Sequence, residues 1–201
     1  GYTYHDLDKH DLAEQQFKKA LELKPNDVSA LNGLGWTEYS HGNYQEALSY
    51  FIDSLKINPR NDDTFEGLGR VYYKLKDFDK AIEAFRKSIE LNPYNTDINF
   101  AYDGLGWAYL RKKDYSKASE AFRRAVELNN NSMTSYLGLS FIYYKQNSVE
   151  ESESMIKKTL SIVPEHHVSP KHHHPFFVEC KQESDNDYAP KNVFECFDKS
   201  V

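Results

Sequence analysis

One residue pattern returns down the chain at a nearly fixed interval, and nothing else in the sequence constrains the fold as tightly. Alanines stand at Ala13, Ala47, Ala81 and Ala118, separated by 34, 34 and 37 residues. Four places later come large apolar residues at Phe17, Phe51, Phe85, Phe122 and Ile156, and three after those come small ones at Ala20, Ser54, Ser88, Ala125 and Thr159. Glycine opens the units at Gly1, Gly35, Gly69 and Gly106, with Ser140 in the fifth; Pro25, Pro59, Pro93 and Pro164 close them, with Asn130 standing in once. A repeat of this length is one supersecondary unit that buries its apolar face only by stacking on its neighbours.

Within a unit the apolar period is helical. Phe65, Leu68, Tyr72 and Leu75 share one face, and after the Lys76-Asp77 turn Phe78, Ala81, Ile82, Phe85 and Ile89 share another. Clusters such as His41-Gly42-Asn43 break the stripe with turn formers, and each closing proline bars helix continuation. The pattern predicts helices over 10–23, 28–41, 44–57, 63–75, 78–91, 97–112, 115–128, 133–146 and 149–162. Glycine inside a helix costs about 1 kcal/mol relative to alanine, so its return at Gly35 and Gly69 points to a packing requirement.

Composition removes other classes. The 201 residues carry a net charge of −6, split as −4 over residues 1–166 and −2 over 167–201, and offer no basic stripe for a nucleic acid. Apolar runs are far shorter than the roughly 18–20 residues of a membrane-spanning helix, so membrane insertion is not expected, and no secretory apolar stretch opens the chain. Cytoplasmic residence is the favoured expectation. Cys180 and Cys196 are too few for a disulfide framework.

The repeated order of Leu-Gly, Ala, Phe, a small residue and Pro, as in Leu34-Gly35, Ala47, Phe51, Ser54 and Pro59, resembles the tetratricopeptide repeat (TPR) over about residues 1–166. The resemblance implies an all-α fold: an α-solenoid of antiparallel helix pairs, the TPR superhelix, followed by an irregular non-repeat tail. On that resemblance, residues 1–27 are expected to form a truncated repeat, and 28–61, 62–95, 96–132 and 133–166 four full ones, with 167–201 as tail or the start of another domain. The fourth repeat carries three extra residues, Thr96-Asp97-Ile98, which predict a lengthened first helix.

The resemblance also implies that the first helices line a concave groove holding a peptide or partner protein. The helical wheel assigns to it Asn32, Trp36, Tyr39, Glu66, Arg70, Tyr73, Lys74, Asp103, Trp107, Arg111, Phe141, Tyr144 and Lys145. Beside them runs a second glycine row, Gly33, Gly67, Gly104 and Gly138. These glycines are expected to leave slots in the groove floor walled by Trp36, Trp107, Phe141 and the tyrosines; alternatively, Trp36 and Trp107 pack over the next glycine and close the slot. Aromatic walls with Arg70, Lys74, Arg111 and Lys145 at the edge suit a peptide carrying apolar and acidic residues. Some family members clamp a terminal carboxylate with Lys and Asn. The corresponding positions here hold Asn32, Trp36, Gly67, Phe100 and Gly104, so that clamp is not reproduced.

His166, His167, His172, His173, His174, Cys180 and Cys196 are metal-ligand types, but their spacing lacks the short pairs of structural zinc sites and reads as a surface histidine run. No metal or other cofactor is expected. With no phosphate loop, His-Glu-x-x-His or nucleophile elbow, the chain reads as a non-catalytic interaction scaffold. The alternative is a substrate-recruiting arm of a larger enzyme such as a glycosyltransferase. The truncated ends also allow self-association.

Overall fold

The computed structural model describes residues 7–94 and 97–162, with residues 7–11 as backbone only. All regular structure among them is helical: α1 (Leu7–Leu23), α2 (Val28–His41), α3 (Tyr44–Ile57), α4 (Asp62–Lys74), α5 (Phe78–Leu91), α6 (Ile98–Arg111), α7 (Tyr115–Leu128), α8 (Met133–Lys145) and α9 (Val149–Ile162). The periodicity placed eight of these to within one residue at either end; α1 starts three residues earlier than expected. The tail beyond residue 162, with its histidines and both cysteines, lies outside the described residues.

Contacts divide the chain into two compact units, Gly1–Ala108 and Tyr109–Val201. In the first, α2 pairs with α3 and α4 with α5 as antiparallel hairpins, α1 packs on α2, and α3 packs on α4. In the second, α8 pairs with α9 and packs on α7.

Local chemistry sets the ends. Asp27 Oδ1 accepts from the Ser29 and Ala30 amides at 3.0 and 3.1 Å, Asn61 Oδ1 from Thr64 N at 3.1 Å, and Asp77 and Asp114 from Lys80 N and Lys117 N at 3.2 Å. Each hairpin turn reverses through a left-handed residue: Gly42 (φ 84°), Lys76 (62°), Lys113 (62°) and Asn147 (58°). Only the first is the residue that adopts this conformation without a steric penalty.

The expected lengthening of the fourth repeat's first helix is corrected. α6 has 14 residues, the same as α2, and starts at Ile98. Two of the three extra residues sit in the connection, six residues (92–97) between α5 and α6 against four (58–61) between α3 and α4, and α6 is one residue longer than α4. Ile98, Ala101 and Leu105 are buried, so the ordinary helix length already fills its place.

The repeated phenylalanines hold adjacent repeats together. Phe51 is fully buried, and a methyl group on Gly35 would lie 2.7 Å from its ring, one on Gly67 only 2.4 Å. Phe85 sits likewise between Gly69 (2.6 Å) and Gly104 (2.3 Å), while Phe17 covers Gly33 and Phe122 covers Gly138, both at 2.4 Å. Neither expectation for the second glycine row holds: it is neither an open slot nor a seat for tryptophan, because a second-helix phenylalanine fills it. Burying one such ring contributes about 1.5–3 kcal/mol.

A buried polar chain crosses the same layer. Ser54 Oγ lies 3.1 Å from Thr64 Oγ1, which donates to Asn32 Oδ1 at 2.7 Å; Asn32 Nδ2 donates to Asp63 Oδ2 at 3.0 Å. Three helices, α3, α4 and α2, are thereby joined, and no member of the chain is left without a partner.

Candidate functional site: the first-helix face

The first helices carry large side chains that differ from repeat to repeat. In the first unit, α2 presents Trp36 and Tyr39, α4 presents Asp63, Glu66, Arg70, Tyr73 and Lys74, and α6 presents Phe100 and Asp103. Arg70 is the hub. Its guanidinium carbon stands 5.6 Å from the centroid of the Trp36 ring and 5.6 Å from that of Phe100, so one cation is flanked by aromatics from two other helices. Its Nε donates to Glu66 Oε1 at 2.9 Å, with a second nitrogen 2.8 Å from the same oxygen.

Trp36 meets Phe51 edge-on at 5.4 Å and Tyr39 at 5.9 Å, and thus rests on the buried phenylalanine layer while keeping part of its surface outside. Tyr39 in turn leans on Tyr44 at 5.7 Å, and Tyr73 on Phe78 at 5.6 Å. Phe100 is 46% exposed, unusual for phenylalanine.

The electrostatics of this face are strained in one direction. Burial raises the Glu66 carboxyl above its ordinary value; the Arg70 charge opposes this, and Asp63 and Asp97 add repulsion. Burial also raises Asp63, against hydrogen bonds from the Trp36 and Asn32 side chains, with Asp62 pushing further up and Arg70 down. Lys74 is lowered, by desolvation first and then by the like charge of Arg70.

The residues assigned to the groove therefore sort into two groups. Trp36, Tyr39, Glu66, Arg70, Tyr73, Lys74 and Asp103 lie on an accessible face. Asn32 is buried with both ends of its amide engaged, and Trp107 is only 5% exposed, so these two belong to the packing. In the second unit Phe141 is 4% exposed with Lys145 Nζ 5.2 Å over its ring; Tyr144 and Arg111 are half-buried. Two further residues stand on this face, Phe100, met above only at a position of the unreproduced clamp, and Asp63, not assigned at all. Asp63 and Phe100 stand one turn before Glu66 and Asp103 on the same stripe, a position that extending the helical wheel by three residues would have reached.

Among the described residues no group of three or more His, Cys, Asp or Glu could hold a metal ion, and no helix is long and apolar enough to cross a membrane.

Antiparallel helix hairpins locked by phenylalanine-on-glycine seats, with variable side chains gathered on the first helices, define a repeat-built domain of the protein-interaction class. Residues 53–169 match the family model of the cytochrome c-type biogenesis protein H TPR domain, and residues 1–60 match a second tetratricopeptide repeat model. The chain belongs to the tetratricopeptide repeat family, in the group described by the first of these models. Such domains bind proteins and peptides and are generally non-catalytic.

A 51-residue stretch is 39% identical to anaphase-promoting complex subunit 6 of Dictyostelium discoideum; it makes up 25% of this chain and spans 6% of that protein. Among solved structures, PilF of Pseudomonas aeruginosa matches with a TM-score of 0.73 at 18% identity, over 96% of this chain and 80% of that one. MamA matches at 0.66 and 24% identity, over 80% and 96%. YrrB, described as a TPR protein with an unusual peptide-binding site, matches at 0.62 and 24% identity, over 80% and 81%. At these identities the structural likeness is one of fold.

Proposed function

We propose that the chain is a non-catalytic recruiting module that holds a segment of a partner protein against the first-helix face of α2, α4 and α6. The observation that carries this reading is the Trp36–Arg70–Phe100 stack, which keeps large aromatic surface at the solvent boundary in a fixed orientation. Rigid aromatics and an oriented arginine are the residue types that dominate binding energy at protein interfaces. The likeness to a subunit of a multiprotein complex and to a peptide-binding TPR protein supports the same reading. A narrower place in cytochrome c-type biogenesis is suggested by the name of the matched family alone.

Photo-cross-linking tests the assignment. A photoreactive phenylalanine analogue replaces Phe100 in one variant and the exposed Glu83 of α5 in another, and both are irradiated in extract. Adducts at position 100 that vanish in a Trp36→Ala background are expected. Equal labelling from positions 100 and 83 would remove the proposal.

A further inference from the structure

The charge on the α2–α4–α6 face differs from what its arginine suggests. Arg70 is engaged by Glu66 and held between Trp36 and Phe100. On α4 the Glu66 carboxylate lies 2.8 Å from that guanidinium, and the Asp63 carboxylate, held by Asn32 Nδ2 at 3.0 Å, stands one turn earlier, with Asp103 on α6 of the same face. Lys74 lies eight residues beyond Glu66 on α4, about 12 Å along the helix, too far to balance them. The aromatic centre of the face is therefore set in a surplus of negative charge.

An acidic ligand approaching Phe100 would meet repulsion from the Asp63 and Glu66 carboxylates. A lysine or arginine would relieve it, and its methylene stem would pack on the exposed Phe100 ring. Charge complementarity at interfaces selects partners in this way.

Resting on the proposed function above, we infer that this face takes a basic, apolar-bearing segment of its partner, with Lys or Arg side chains against Asp63 and Glu66 and an apolar neighbour on Phe100. The acidic segment expected from Arg70, Lys74, Arg111 and Lys145 is thereby replaced.

Two fluorescein-labelled peptides of identical leucine and serine content, one carrying lysines and the other glutamates in the same places, test this by anisotropy against the 201-residue chain. The lysine peptide is expected to bind at least about tenfold more tightly, a difference of about 1.4 kcal/mol. The isosteric pair Asp63→Asn with Glu66→Gln should remove most of that advantage. Glu150→Gln with Glu151→Gln, which takes the same charge from α9, should leave it intact. Equal loss from the α9 pair would mean a general charge effect and overturn the inference, as would preference for the glutamate peptide. If the glutamate peptide wins and Trp36→Ala abolishes its binding, the interaction face stands and only its charge preference falls. If Trp36→Ala and Phe100→Ala change neither peptide's affinity while helicity is retained, the face itself is wrong.

Discussion

The phenylalanine layer and the first-helix face occupy the same helices and follow opposite rules. Phe17, Phe51, Phe85 and Phe122 each meet a glycine of the second row at 2.3–2.4 Å from its notional methyl, almost unchanged from repeat to repeat. A turn away, the equivalent face positions hold Trp36, Arg70, Trp107 and Phe141, no two consecutive ones alike, and their surroundings range from an accessible cation to buried rings. Where every repeat must dock on the next, one solution is reused. Where the stacking admits more than one side chain, the residue changes from repeat to repeat.

Breaking the layer should cost most. Phe51→Ala empties a seat shared by two repeats, and urea unfolding should show a loss of about 3–5 kcal/mol. Smaller in effect, Gly67→Ala forces the Phe51 ring to move, a loss of about 1–3 kcal/mol despite the better helix propensity of alanine. Asn32→Ala leaves Thr64 and Asp63 without their shared partner and should cost about 1–3 kcal/mol, marking this face position as structural. Gly42→Ala is the control: its methyl meets nothing within 4 Å, so only the left-handed conformation is penalised, by about 1 kcal/mol.

Acid titration separates the second-helix caps from the first-helix face by sign. Asp77 and Asp114, which cap second helices, are lowered below 3.8, mainly by hydrogen bonds from Lys80 and Lys117, so their contribution is present above that value and lost as pH falls through the folded values. Asp63 and Glu66 are raised above 3.8 and 4.5, so their contribution is present at lower pH and lost as pH climbs through the folded values. Thermal melts should therefore show Asp77→Asn diminishing the loss of stability toward acid. Asp63→Asn should instead flatten the decline on the alkaline side of 3.8. Matching profiles for the two variants would erase the distinction.

The fold was legible because a 34-residue period repeated over a helical stripe leaves little choice of element or order. The site was less so. The period finds every helix and names the glycine row, yet Phe51 and Trp36 sit on adjacent stripes, and the sequence alone does not decide which ring enters the space beside Gly67. The extra residues before α6 show the same limit, since a surplus near one helical turn fits a longer helix as well as a longer connection. Arg70 was visible as a cation on a first helix; its engagement by Glu66, Trp36 and Phe100 spans three helices, which the wheel of one helix does not show.

The seating of Phe51 against both Gly35 and Gly67 leaves the chain without a free joint beside α3. The ring belongs to the helix before it and to the helix after it. Anyone shortening, lengthening or shuffling this array strips it of one seat either way: a cut at Gly42 takes Gly35, and a cut at Pro59 takes Gly67. A graft therefore has to bring its own glycine to the new junction.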